Sequence, residues 1–240
     1  IPFLLCLMLF AATAAQAAAP KPVRTLPGTI SYPLVQSKDS ATVVLTDKGV
    51  STSAILIDED EPFAVSKVVE DVQKDLYDIT GCLIPTTNTT PRKSFYPYLV
   101  VAGTVDSSRP VKALIESGKI DVSTLKGKRE SFLITTVADP FPGCKGAIVI
   151  AGSEMRGTIY GLYSLTQDGL GIDPLRFFTE KPPVKRESIY IGKMVHLEGE
   201  PKFIYRGWFI NDEDFLQGWH GLMYDPPSSA AELYEPIISC

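Results

Sequence analysis

The run AIVIAGSEMRGTIYGLYSLTQ, residues 147–167, predicts a buried β-strand, a glycine turn and an α-helix in direct succession. Ser153 is the expected N-cap of this helix, and the carboxylate of Glu154 suits its first turn. Gly157 and Gly161 would let the helix lie close to its neighbours. A glycine-rich turn between a strand and a helix can also bind phosphate. Neither of the usual nucleotide-binding glycine patterns is present, so we favour packing of the helix on a sheet.

Apolar runs on both sides of this unit predict more of the same kind of fold. Strands are expected at 42–45, 54–57, 98–102, 131–137 and 187–195. Helical spacing of apolar residues predicts a long helix over 62–79, and a shorter helix follows at 111–117. This order predicts an α/β (α+β-like) domain over 41–196, with a mixed sheet flanked by helices.

An acidic run, Asp58-Glu59-Asp60-Glu61, precedes the long helix. Four adjacent carboxylates could bind a metal ion, or they could form a solvated helix start. Pro62 suits the first helical position, and negative side chains stabilise a helix N-terminus. We therefore favour the solvated helix start.

The first residues have the pattern of a secretory signal. Residues 1–19 carry no charge and join a short apolar core to a run of small residues. The core is too short to span a bilayer. We expect 1–19 to be a cleaved signal peptide, 20–40 to be a polar lead-in, and the protein to be secreted, extracellular and free of the membrane. The net charge of −5, without a dense Lys/Arg cluster, argues against a nucleic-acid partner.

Secretion affects how the cysteines and one sequon are interpreted. Cys82 and Cys144 are the natural pair for a disulfide in an oxidising compartment, and two separate buried thiols are the equal alternative. Asn88 begins an Asn-Thr-Thr sequon in a threonine-rich, loop-like stretch, which predicts N-glycosylation.

The run YRGWFINDED, residues 205–214, carries the most enzyme-like chemistry in the chain. Its apolar part would form a strand that ends in Asp212, Glu213 and Asp214, and barrel enzymes present catalytic groups at such strand ends. Glycoside hydrolysis needs two carboxyl groups around the bond that breaks. Because adjacent side chains on a strand point to opposite faces, a second carboxylate from elsewhere is expected.

Other side chains in and near this run have open roles. Arg206 would lie on the same side as Asp212, either near a substrate or in a structural ion pair. Trp208 suits packing better than stacking on a sugar. His196 is expected in a solvated linker. The two histidines form no H-E-x-x-H motif, so we expect no zinc site.

Four runs together resemble the N-terminal region of glycoside hydrolase family 115, the xylan α-1,2-glucuronidases. They are AIVIAGSEMRGTIYGLYSL, GIDPLRFF, the strand PPV…SIYI and GEPKFIYRGWFINDED, and the most specific parts are GS-x-x-RGT-x-YG-x-Y and Y-RG-x-FINDED. The resemblance implies an accessory domain similar to that of family 20 hexosaminidases, followed by a (β/α)8 barrel. Residues 197–240 would be the linker and the start of that barrel, truncated and with an aberrant tail, and 205–210 its first strand.

The resemblance also implies a reaction. Family members remove glucuronic acid or its 4-O-methyl ether from xylan by inverting hydrolysis without a cofactor. Asp212 and Glu213 become the catalytic candidates, with Asn211, Arg206, Asp214 and Trp208 as substrate-binding candidates. The expected partner is glucuronoxylan or another uronic-acid-bearing polysaccharide, and the intact parent could form a homodimer. The 240-residue chain alone is expected to be inactive.

Two alternatives to the favoured interpretation stay open. The chain could be a non-catalytic secreted module that binds a carbohydrate or a partner. It could also belong to a different glycosidase with the same plan, such as a hexosaminidase relative. Within the resemblance, the run 175–178 departs from the tryptophan-rich run expected there.

Overall fold

The computed structural model describes residues 32–90, 96–207 and 209. These residues contain nine strands and four α-helices. The strands are β1 Val43–Asp47, β2 Val50–Ser51, β3 Ser53–Ile57, β4 Thr86–Thr87, β5 Tyr98–Thr104, β6 Phe132–Ala138, β7 Gly146–Gly152, β8 Ile189–Ile191 and β9 Val195–Glu198. The helices are α1 Phe63–Thr80, α2 Arg109–Glu116, α3 Met155–Ser164 and α4 Arg176–Thr179. Within these ranges, no helix has the length and apolar character needed to cross a membrane.

A six-stranded mixed sheet organises the molecule, in the order β4-β3-β5-β7-β6-β9. The first four strands run parallel, whereas β6 pairs antiparallel with both β7 and β9. A second sheet, β2-β1-β8, is antiparallel. The predicted mixed sheet with flanking helices is confirmed.

Two apolar cores lie on opposite faces of the large sheet. Ile148 and Ile150 of β7 belong to the core that contains α1 and α3. Ala147, Val149 and Ala151 belong to the core that contains α2. Since side chains alternate along a strand, both faces of β7 are covered, which explains its unbroken apolar run.

Helix α1 buries the stripe that its spacing predicts. Its buried apolar residues are Val65, Val68, Val69, Val72, Leu76 and Ile79. The helix ends at Gly81, which has φ of 72°, a left-handed conformation that costs glycine little.

Helix α3 begins one residue later than expected. Glu154, rather than Ser153, is the N-cap, and its carboxylate accepts hydrogen bonds from the amides of Arg156 and Gly157 at 3.1 and 3.2 Å. The Ser153 hydroxyl instead accepts from the amide of Ser131 at 3.1 Å. The prediction of Ser153 as the cap is wrong because this hydroxyl satisfies the start of β6 instead.

Glycines bring α3 close to the sheet, as predicted. A Cβ on Gly157 would lie 2.3 Å from the carbonyl oxygen of Ser131, and one on Gly161 would lie 2.5 Å from Cγ2 of Ile150. Helix-on-sheet packing therefore accounts for both glycines.

The predicted strand over 187–195 is divided between the two sheets. Residues 189–191 pair with β1, whereas β9 pairs with β6. Between them, the amide of Gly192 donates to the carbonyl of Pro33 at 2.8 Å, and the carbonyl of Met194 accepts from the amide of Thr136 at 3.0 Å. The chain changes its partner strand here. The alternation of apolar and polar residues in the sequence does not indicate this change.

The two ends of the described chain differ in how they relate to the predicted domains. Tyr32, in the expected lead-in, is buried in the core, and Leu34 forms an isolated bridge with Ile191. Residues 205–207 are not in a strand. Residues 208 and 210 lie outside the described part, so the first barrel strand stays a prediction.

Candidate functional site

Most of the predicted site falls beyond the part of the chain that the structure describes. Trp208, Asn211, Asp212, Glu213 and Asp214 lie outside it, and their assigned roles remain predictions. Arg206 lies within the described part.

Arg206 lies in an ion pair with Glu130. Its Nη2 donates to Oε2 of Glu130 at 2.6 Å and to the Tyr160 hydroxyl at 3.3 Å. Its Nη1 donates to the carbonyl of Phe203 at 2.6 Å, and the guanidinium lies 5.9 Å from the centre of the Tyr160 ring. Of the two roles considered for Arg206, the structure shows the structural ion pair.

Glu130 is the centre of this cluster. Its residue surface is only 6% exposed, and its carboxylate also accepts from Nη1 of Arg156 at 2.9 Å. Hydrogen bonds from Arg206 and then Arg156 hold the pKa of the Glu130 carboxyl below its usual range, because both stabilise the charged form. The sequence carries no local signal for Glu130, since its partner Arg206 lies 76 residues away.

A second ion pair lies beside the first. Nε of Arg129 donates to Oε1 of Glu200 at 2.7 Å. Adjacent residues of opposite charge, Arg129 and Glu130, therefore hold Glu200 and Arg206 of the following segment. The chain after β9 is therefore attached to the α/β domain at two points, Glu200 and Arg206.

The acidic run 58–61 is not a solvated helix start throughout. Asp58 is buried and accepts from the amide and Nε of Arg109 at 2.6 and 2.9 Å. Glu61 is buried and accepts from the amide and hydroxyl of Thr104 at 2.7 and 3.0 Å. These contacts lie at the carboxyl ends of β3 and β5, so they join strand ends to helices.

The pKa values of the two buried carboxyls of this run shift in opposite directions. Hydrogen bonds from Arg109 hold the pKa of Asp58 well below its usual range. Burial raises the pKa of Glu61, since the protonated form loses less on leaving water. Across the described ranges, no group of three or more His, Cys, Asp or Glu side chains could hold a metal ion.

The proposed disulfide is not formed. Cys82 and Cys144 are both free, and their thiols lie 2.6 Å from the carbonyl of Gly49 and 3.4 Å from that of Pro97, respectively. Cys144 belongs to the α2 core, whereas Cys82 follows α1, which packs in the other core. The predicted pairing is therefore wrong, since both thiols are free and contact the backbone of different segments. Of the alternative, only Cys144 is buried.

Two further predicted positions lie within the described residues. Asn88 is exposed just after β4, and its glycosylation stays a prediction. His196 lies on β9 rather than in a solvated linker, with its ring centre 6.2 Å from that of Phe132 and its Nε2 3.2 Å from Glu198. The linker prediction for His196 is wrong because β6 extends the sheet to this residue.

Comparison with known proteins gives one informative likeness. No protein-family model and no curated protein matches the chain. A family GH115 4-O-methyl-α-glucuronidase with specificity for decorated arabinogalactans superposes with a TM-score of 0.63 at 28% sequence identity. The match covers 82% of this chain and 24% of that enzyme, so the chain spans about a quarter of its length.

Two other glycosidase structures are more distant. A Streptomyces plicatus N-acetyl-β-hexosaminidase matches 72% of this chain and 28% of its own with a TM-score of 0.36 and 14% identity. CpGH84B matches 90% of this chain and 35% of its own with a TM-score of 0.44 and 15% identity. Neither likeness is close enough to carry an argument. The likeness to the GH115 enzyme supports a function related to glycoside hydrolysis.

Proposed function

We propose that the chain is the N-terminal part of a secreted family GH115 glycoside hydrolase that removes glucuronic acid, or its 4-O-methyl ether, from polysaccharide side chains. The observation that carries this proposal is the superposition of 82% of the chain on a GH115 4-O-methyl-α-glucuronidase, at 28% identity. Because the chain spans 24% of that enzyme, the proposal includes a further catalytic part beyond the α/β domain.

The proposed chemistry is inverting hydrolysis by a pair of carboxyl groups. Asp212 and Glu213 are the candidates in this chain, and the partner carboxyl would come from the rest of the barrel. An inverting pair is separated by about 6.5–9.5 Å, so that a water molecule fits between one carboxylate and the sugar. Asn211, Asp214 and Trp208 are the proposed substrate contacts. Arg206 stays a candidate substrate contact, and its ion pair with Glu130 would hold its guanidinium in place.

The proposed substrate is glucuronoxylan, and arabinogalactan side chains are the first competitor because the GH115 neighbour is specific for decorated arabinogalactans. The 240-residue chain alone is proposed to be inactive. A single strand cannot close a barrel, since closure requires every strand to pair on both sides.

The test begins with antibodies raised against the recombinant chain. They would be used to isolate the natural protein from the culture medium and from cell extracts, followed by measurement of its mass and its release of uronic acid. Glucuronoxylan, decorated arabinogalactan and a chitobiose-type substrate would be compared, with the recombinant chain in parallel. We expect a secreted protein much larger than the chain, release of uronic acid as the β-anomer by proton NMR, and no release by the recombinant chain.

Other outcomes would select the other readings. Release of hexosamine without uronic acid would identify a hexosaminidase relative. A secreted protein of the chain's own size without any hydrolysis would identify a binding module. In an active parent, Asp212→Asn and Glu213→Gln should each lower kcat by about 10²–10⁴-fold if they carry proton transfer.

A further inference from the structure

We propose that Glu130 is a positioning residue, which fixes the segment 203–207 to the α/β domain. We call Glu130, Arg156 and Arg206 the Glu130 clamp. The clamp itself rests only on the contacts of the described residues.

Burial makes the clamp's central carboxylate dependent on its partners. Glu130 is almost fully removed from solvent, and a buried carboxylate without a partner is costly. Two guanidinium groups supply charge-assisted hydrogen bonds, at 2.9 Å from Arg156 and 2.6 Å from Arg206. The arginine side chains are 60% and 41% exposed, so the clamp joins a buried anchor to the surface.

The backbone holds the Glu130 carboxylate in a fixed direction. Glu130 has φ of 55°, a left-handed conformation that non-glycine residues adopt only when their surroundings hold it. Its amide donates to Oε1 of Glu154 at 3.0 Å, and the next amide, of Ser131, donates to Ser153. The N-terminus of α3 and the start of β6 thus support the anchor.

Arg206 is also fixed in its own position. Besides Glu130, it donates to the Phe203 carbonyl and the Tyr160 hydroxyl, and its charge lies over the Tyr160 ring. A guanidinium held by several acceptors has little freedom left to lose, so the pair costs less side-chain entropy than an ordinary surface pair.

The clamp joins two runs that lie far apart in the sequence. Arg156 and Tyr160 belong to the run RGT-x-YG, and Arg206 belongs to the run Y-RG. Both arginines bind the same carboxylate, and the tyrosine packs on one of them. The two most specific runs of the family resemblance therefore meet at one structural site.

Proximity along the chain links the clamp to the candidate catalytic residues. Asp212 lies six residues after Arg206. The pair Arg129–Glu200 restrains the chain three residues before the segment 203–207.

The test measures how easily the segment detaches. The full chain at low concentration would be digested with chymotrypsin, and cleavage of the Phe203–Ile204 bond would be followed by mass spectrometry against cleavage inside the α/β domain. Glu130→Gln and Arg206→Gln should each speed the Phe203–Ile204 cut by about tenfold, as loss of a charged hydrogen bond predicts. The double variant should be no faster than either single variant. Arg206→Lys should restore part of the protection because it keeps the charge.

Controls separate positioning from general stability. Glu70→Gln removes a carboxylate from an exposed ion pair on α1, and it should leave the Phe203–Ile204 rate unchanged. If Glu130→Gln fails to fold, Arg206→Gln still decides, because Glu130 then keeps Arg156. Unchanged cleavage in a folded Arg206→Gln protein, or multiplying rates in the double variant, would overturn the proposal. Since this measurement needs no hydrolysis of sugar, its failure is distinct from failure of the proposed function.

Discussion

Glu61 differs from the other buried carboxylates because the groups that donate hydrogen bonds to it are uncharged. It accepts from the amide and the hydroxyl of Thr104, and its residue surface is 7% exposed. Burial therefore dominates and raises the pKa of its carboxyl. A raised folded-state pKa contributes stability below the unfolded value, about 4.3 for Glu, and this contribution is lost as pH rises through the folded value.

We predict that Glu61→Gln raises the melting temperature at pH 7. The amide oxygen can still accept from the Thr104 backbone, and the amide group can donate to its hydroxyl, while the cost of burying a charge disappears. Each kcal/mol gained would shift Tm by about 2–4 °C for a chain of this size. The gain should vanish below about pH 4, where Glu61 is protonated in both states. Thermal unfolding from pH 3 to 8 measures this.

Asp58 is the matched comparison, because its pKa is lowered whereas that of Glu61 is raised. Arg109 lowers its pKa, so its contribution is present above the unfolded value of about 3.9 and is lost as pH falls through the folded value. Asp58→Asn should therefore lower Tm at pH 7 and converge with the wild type in acid. Equal effects of the two substitutions at pH 7 would contradict the burial argument.

Residue-level prediction succeeded where the signal was periodic. The stripe of α1 follows from 3.6-residue spacing, and Gly157 and Gly161 follow from their place on a helix beside a strand. It failed for Asp58, whose partner Arg109 lies 51 residues away, and it did not find Glu130, whose partners Arg156 and Arg206 lie 26 and 76 residues away. An ion pair across that separation depends on how the elements assemble, and no local pattern records it.

At the scale of elements, the contact of α3 with the sheet depends on Gly157. A Cβ there would lie 2.3 Å from a backbone oxygen, Ser131 O, which cannot rotate away as a side chain could. We predict that Gly157→Ala destabilises the fold by about 1–3 kcal/mol, the usual cost of overpacking. The gain in helix propensity from alanine, about 1 kcal/mol, offsets only part of it. Urea unfolding gives the free energy.

Gly199→Ala is the control for this prediction. A Cβ at Gly199 meets nothing within 4 Å, and its φ is not in the left-handed range. Its free energy of unfolding should stay close to the wild-type value. An unchanged stability for Gly157→Ala would mean that α3 can move off β6 and β7 at little cost.

Element prediction was limited by partner choice. The apolar runs predict the strands β3, β5, β6 and β7 at the right places. A strand with both faces covered is apolar along most of its length, so it stands out in the sequence. The run 187–195 is apolar enough for one strand, yet β8 and β9 join different sheets. Which edge a strand joins is decided by the other strands, so this division was not visible in the run itself.

At the scale of the whole molecule, the segment held by the Glu130 clamp and Phe209 just after it expose large apolar side chains to solvent. Phe203, Tyr205 and Phe209 are 68%, 93% and 89% exposed, and Ile204 between them is 57% exposed. Contiguous exposed apolar residues of this kind mark interaction surfaces or sites of self-association. In the proposed parent, these residues would pack against the catalytic part. In the chain alone, other copies are the available partners.

We therefore predict that the recombinant chain self-associates as its concentration rises and that Phe203→Ser, Tyr205→Ser and Phe209→Ser together suppress this. None of the three side chains belongs to either apolar core, so the α/β domain should keep its Tm. Sedimentation velocity over a range of concentrations would measure the change. Phe63→Ser removes another exposed phenylalanine, 84% accessible, at the start of α1, and should leave association unchanged. If both variants associate like the wild type, the contact lies elsewhere and Phe203, Tyr205 and Phe209 do not form the surface through which copies meet.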